Sequence, residues 1–143
     1  GSLINRKTVQ EGIARMASLN GEVWFKFDSA LAQRRLQINN TSISNTTILR
    51  HLQLSASLCP TWIQTCVFKI DGEPVSGEEI DAYLNFLRTA LQQGIKLQGI
   101  LLYGLARPSL QAESSRLSNV AEGWMEEFAD AIRSLNIEVK VHP

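Results

Sequence analysis

Apolar and polar positions along this chain recur with two different periods, and the switches between them mark out its elements. From Thr8 to Leu19 the residues Val9, Ile13, Met16 and Ala17 fall at helical spacing, and Thr8 with Glu11 spells a capping box, so a helix is predicted that Asn20-Gly21 ends. Val23 to Ser29 then alternates, with Val23, Phe25 and Phe27 on one face and Trp24, Lys26 and Asp28 on the other, which predicts a strand. Residues 30–44 are polar and read as an irregular connection. Helical spacing returns over Asn45 to Leu58 (Ile48, Leu49, Leu52, Ser55, Ala56), and Pro60 closes it. Trp62 to Ile70 is a nearly continuous apolar run, the pattern of a strand buried on both faces, and Asp71-Gly72-Glu73-Pro74 turns the chain.

Ser76 and Glu79 make a second capping box for a helix carrying Ile80, Tyr83, Leu84, Leu87 and Leu91, which Gly94 ends. Leu97 to Leu105 reads as another buried strand, followed from Pro108 to Ser118 by a polar loop. Val120, Trp124, Phe128, Ala131, Ile132 and Leu135 mark a last helix. In the closing strand Ile137, Val139 and Val141 alternate with Glu138, Lys140 and His142, so one face is wet and the strand belongs at an edge. Strands alternating with helices of this length predict an α/β fold of parallel-strand βα repeats joined by right-handed crossovers, with residues 1–143 as a single domain.

Composition narrows the setting. With 143 residues and 44% hydrophobic content the chain can bury a real core. Fourteen basic against fourteen acidic side chains remove the electrostatic argument for nucleic acid or an anionic membrane as partner. No apolar run approaches the roughly 20 residues that span a bilayer, and Gly1-Ser2 looks like the remnant of a cleaved tag. Two cysteines are too few for a disulfide framework, so a reducing, cytoplasmic location is expected. Charge is uneven: residues 1–72 hold eight basic and four acidic side chains, residues 73–143 six and ten. That bias fits two complementary halves of one domain, or an anionic ligand near Arg34-Arg35.

Several chemistries lack their residues. Cys59 and Cys66 have no third thiolate for a cluster and read as small packing residues. His51 and His142 have no acid placed in sequence to orient them, so zinc and Ser-His-Asp readings fall together. No catalytic residue and no metal ligand is assigned. Gly94, Gly99 and Gly104 recur without the lysine of a phosphate loop; Gly99, inside a strand, reads as a place where a helix or a ligand approaches closely.

What remains is polar residues within or just past strands, where parallel α/β folds bind ligands. Lys26 and Asp28 are either solvent-facing or a functional pair lining a cavity. Gln64 and Thr65 interrupt an apolar run, and Arg107, pinned by Pro108 just past a strand, suits either a fork for carboxylate or phosphate or a surface salt bridge.

Taken together, Glu22-Val23-Trp24-Phe25-Lys26-Phe27-Asp28-Ser29, Ile38-Asn39-Asn40, Cys59-Pro60-Thr61-Trp62-Ile63-Gln64-Thr65, Asp71-Gly72-Glu73-Pro74 and Leu101-Leu102-Tyr103-Gly104-Leu105-Ala106-Arg107-Pro108-Ser109 resemble the carboxyl-terminal half of a radical S-adenosylmethionine (radical SAM) enzyme, over residues 5–143. The resemblance implies half of a partial (β/α) barrel with its helices on the outside. It also implies S-adenosylmethionine and a [4Fe–4S] cluster for the full-length parent, the cluster being held by a C-x-x-x-C-x-x-C loop that this chain lacks. By the same analogy Lys26, Asp28, Ser29, Gln64, Tyr103 and Arg107 line the cofactor and substrate cavity, and the chain alone is inactive. The expected partners are a small-molecule substrate of the parent and either a further copy of the chain or the missing amino-terminal half-barrel, since a half-barrel leaves strand edges and concave surface uncovered. A stand-alone interaction or assembly module is the alternative.

Overall fold

A computed structural model of the chain describes residues 3–105 and 112–143. The first helix, α1 (Lys7–Ser18), begins one residue before Thr8. Its N-cap is Arg6 with no side-chain hydrogen bond, so the expected Thr8–Glu11 capping box is not used. Strand β1 is Val23–Lys26. The stretch expected to be irregular contains a helix, α2 (Ala32–Asn39). Its residues are good helix formers, but the inward-facing one is Arg35, a charge where an apolar residue would have announced the face. Asn40, in the left-handed region at φ 49°, ends it. Helix α3 (Asn45–Leu58) has the expected bounds, capped by Ser44.

The apolar run expected as one strand is two: β2 (Thr61–Cys66) and the short β3 (Lys69–Ile70). Helix α4 (Gly77–Gln92) carries the predicted capping box between Ser76 and Glu79. After β4 (Gly99–Tyr103), a 3₁₀ turn at Ala112–Arg116 leads into β5 (Leu117–Ser118), which pairs antiparallel with β3. Helix α5 (Glu122–Arg133) and strand β6 (Val139–His142) complete the chain.

The parallel sheet has the order β1-β2-β4-β6, so β6 lies at an edge as its pattern predicted, and β1 forms the other. One face carries Phe25, Ile63, Ile100, Leu102 and Val139, all buried, against α3, α4 and α5. Phe27, just past β1, stacks on Phe86 at 4.0 Å and on Tyr83 at 5.5 Å, joining the sheet to α4. Thr65, one of the two polar interruptions in β2, belongs to this core: its hydroxyl bonds to the Phe27 carbonyl at 2.9 Å and to the Tyr83 hydroxyl at 2.6 Å. The charge bias of the two halves is also met internally, since Arg34 of α2 pairs with Glu79 of α4 at 3.2 Å.

Candidate functional site

The helices cover one face of the sheet, and the opposite face carries the chemistry. Parallel register places residues with a common direction in rows across it. At the amino ends of the strands the row is Trp24, Trp62 and Gly99, with Glu138 beside Gly99. The next row is Lys26, Gln64, Leu101 and Lys140. The last, at the carboxyl ends, is Cys66, Tyr103 and His142, with Asp28 just past β1. Four of the six residues expected to line a cavity, Lys26, Asp28, Gln64 and Tyr103, are thus brought to one face.

Lys26 is the centre of the polar group. Its ammonium donates to Asp28 Oδ1 at 2.9 Å and to the Tyr103 hydroxyl at 3.1 Å, and it remains half exposed. Burial works to lower its pKa, but the Asp28 carboxylate and the hydrogen bonds to Asp28 and Tyr103 outweigh that, and the net shift is upward. Asp28 has a different task. Its side chain is only 3% exposed, its Oδ1 also accepts from the backbone N–H of Cys66 at 2.9 Å, and its Oδ2 accepts from Asn39 Nδ2 at 2.8 Å. The carboxylate takes the ladder position that β1 vacates and holds Lys26 from below, so the open face receives the ammonium and the phenol rather than the acid.

Ser29 is turned away from this face: it is 4% exposed, its hydroxyl accepts from Leu31 N–H at 3.2 Å and its carbonyl from Arg35 Nη1 at 3.0 Å. Arg107 lies outside the described residues. Asn39 was quoted in the resemblance without a role, and only the structure brings it onto Asp28. Arg35 anchors the helix that carries Asn39. Its guanidinium is buried and donates to the carbonyls of Ser29 and Ile43, and its Nε has no partner among the described residues. Burial lowers its pKa. An anion at Arg34-Arg35 therefore finds one side chain paired to Glu79 and the other committed to main-chain carbonyls.

Two hollows adjoin these residues. A cleft of about 760 Å³ past the strand ends is bounded by Lys26, by Gln37–Asn40 and by Phe68, Ile70 and Leu117. A second, of about 460 Å³, lies over the open face between Trp24, Trp62, Gln64, Tyr103, Lys140 and His142. Both are within the range of small-ligand sites.

Two solved structures share this fold. A domain of pyruvate-formate lyase-activating enzyme from Bacteroides vulgatus superposes with a TM-score of 0.64 at 14% identity, over 95% of this chain and 74% of that one. A radical SAM methyltransferase from Sphaerobacter thermophilus gives 0.64 at 13% identity, over 93% of this chain. At these identities the likeness is one of fold, shared with a radical SAM methyltransferase and a pyruvate-formate lyase-activating enzyme domain. This chain spans 38% of the methyltransferase. No family model and no curated protein sequence matches the chain. No helix among the described residues is long and apolar enough to cross a membrane.

Radical SAM proteins imply S-adenosylmethionine and an iron–sulfur cluster, and the residues present fit the two unequally. The described residues do not fit a cluster. They contain no group of three His, Cys, Asp or Glu able to hold a metal, Cys59 is buried and donates to the Gly21 carbonyl, and burial beside Asp28 pushes the Cys66 thiol up to about 11. S-adenosylmethionine carries a carboxylate and hydroxyls. The half-exposed Lys26 ammonium, which lines the larger cleft, uses two of its three N–H groups on Asp28 and Tyr103, so it and the neighbouring Tyr103 hydroxyl, which lines the smaller hollow, fit that donor requirement.

Proposed function

We propose that this chain is one wall of a radical SAM active site: the carboxyl-terminal half of the barrel, contributing residues to the S-adenosylmethionine and substrate cavity while the cluster-bearing half comes from elsewhere. The observation that supports it best is the assembly of Lys26, Asp28 and Tyr103 at the carboxyl ends of β1 and β4, on either side of β2, with Asn39 of α2 joined to Asp28 and the Lys26 ammonium beside an open cleft.

When bound, S-adenosylmethionine with a reduced cluster supplies the radical chemistry. The residues here bind and orient. Lys26 offers an N–H to a ligand carboxylate, and its raised pKa keeps that proton in place across the physiological range. Tyr103, accepting from Lys26, keeps its own hydroxyl proton for a second ligand oxygen. Asp28 and Asn39 fix the ammonium without touching the ligand. Gln64 offers an amide between the two lysines of its row.

Titration calorimetry with S-adenosylmethionine tests this. The chain is expected to bind it, and Lys26→Met to weaken binding at least tenfold with little change in melting temperature. Equal binding by the two proteins would remove Lys26 from the site. Anaerobic reconstitution with iron and sulfide is expected to leave the chain colourless; a stoichiometric four-iron absorption band would refute the division into two halves.

Full assembly is a further part of the reading. Val23 and Phe27 donate their backbone N–H groups to Pro60, just before β2, and to Gln64 within it, so in a parallel pair Trp24 and Lys26 turn theirs toward the uncovered edge of β1. The missing half-barrel, or a second copy of this chain, would pair there.

A further inference from the structure

The open face holds a second cation, Lys140, that the cofactor reading does not use. Lys140 starts on β6, yet its ammonium lies 4.1 Å from the centre of the Trp62 ring on β2, so the side chain crosses β4. Gly99 makes the crossing possible. A Cβ there would stand 2.6 Å from Trp62 Cζ3 and 2.6 Å from the Glu138 carbonyl oxygen, so the indole occupies the space that a side chain at position 99 would take. Trp62 is 5% exposed beneath the lysine, while Trp24, its neighbour in register, is 61% exposed. Lys140 meets only a loose, exposed contact of 3.8 Å with Glu138, so most of its donor capacity is unspent.

The 460 Å³ hollow above these residues is rich in donors. Lys140, His142, the Gln64 amide and the Tyr103 hydroxyl can all donate, whereas Glu22 alone is acceptor-only. Its apolar lining is Leu101 with the rings of Trp24, Trp62 and Tyr103, and the exposed indole of Trp24 has no ring partner among the described residues. Glu22, on the same lining, repels any negative charge that Lys140 does not hold, which favours one charge over two.

We propose that Lys140, laid over Trp62 in the space Gly99 leaves, is the anion-holding residue of a substrate subsite for a planar aromatic ring bearing one carboxylate, with the ring against Trp24 and the carboxylate on Lys140. This rests on the reading that the open face is the substrate side; the subsite borders the Lys26 group at Gln64 and Tyr103 but takes its charge from Lys140.

The probe is 2-naphthoate, titrated into the full chain by calorimetry, with the indole N–H resonances of the three tryptophans followed by NMR. The wild-type chain should bind 2-naphthoate saturably and shift the Trp24 and Trp62 resonances. Neutral 2-naphthamide and dianionic 2-naphthyl phosphate should each bind at least tenfold more weakly. Lys140→Met keeps the apolar stem and should weaken 2-naphthoate at least tenfold while leaving 2-naphthamide unchanged; Trp24→Ala should weaken both. Lys26→Met should leave 2-naphthoate binding intact, which separates this site from the cofactor site. No binding of 2-naphthoate to the wild-type chain, equal binding of acid and amide, or an unchanged affinity in Lys140→Met would each overturn the proposal. Retained 2-naphthoate binding beside absent S-adenosylmethionine binding would support the subsite and count against the cofactor reading alone.

Discussion

Asp28→Asn separates a residue that supports the site from the residue it supports. The carboxylate accepts three hydrogen bonds, from Lys26 Nζ, Cys66 N–H and Asn39 Nδ2, with its side chain 3% exposed. The amide is nearly isosteric, so no cavity opens, but it offers one acceptor oxygen and turns an NH₂ toward a former donor. Hydrogen bonds to charged groups are worth about 1.5–3 kcal/mol, and a buried donor left unpaired costs about 1–3 kcal/mol. The expected loss is therefore about 2–3 kcal/mol, or roughly 6–10 °C in Tm at this chain length. Lys26→Met removes the half-exposed partner while the buried Asp28 keeps its bonds from Cys66 and Asn39, so it should cost only about 0.5–1.5 kcal/mol.

Paired urea and thermal melts of the two variants measure the difference. The pH dependence has a definite sign. Because folding raises the Lys26 pKa above its ordinary 10.5, the Lys26 contribution is fully present below that value and disappears as pH rises through the folded-state pKa. The stability gap between wild type and Lys26→Met should therefore narrow in strongly alkaline solution. Equal destabilisation by the two variants, or a loss under about 0.5 kcal/mol for Asp28→Asn, would refute the assignment of Asp28 as the anchor.

Two further outcomes are expected. Gly99→Ala forces its methyl against the Trp62 indole and the Glu138 carbonyl, both at 2.6 Å, and overpacking of this kind costs about 1–3 kcal/mol; a lower urea midpoint with an altered tryptophan emission spectrum checks it. Cys66, its thiol pushed up to about 11 by burial and Asp28, should react with iodoacetamide at pH 8 roughly 100-fold more slowly than in the unfolded chain, as mass spectrometry of the alkylated peptides would report.

The sequence pattern by itself determined the alternation of helices and strands, the parallel sheet, the edge position of β6 and the capping box at Ser76. The elements, the edge strand and the cap each depend on spacing within one short segment, and the parallel sheet on the order in which those segments alternate. It missed α2 because Arg35 fills the inward position of that helix, and a buried guanidinium satisfied by the Ser29 and Ile43 carbonyls has no local signature. It also joined β2 to β3, because an apolar run does not say with which partner each residue pairs. Alternation put Lys26 and Asp28 on one face, but nothing local says that one is exposed and the other buried.

That distinction came from Asn39, Cys66 and Tyr103, 11, 38 and 77 residues from their partners in chain. The meeting of Lys140 with Trp62 across Gly99 likewise joins three strands that register alone brings together. Local spacing chooses the elements; which side chains share a hollow is decided by the order and register of the strands, which exist only once the chain has folded.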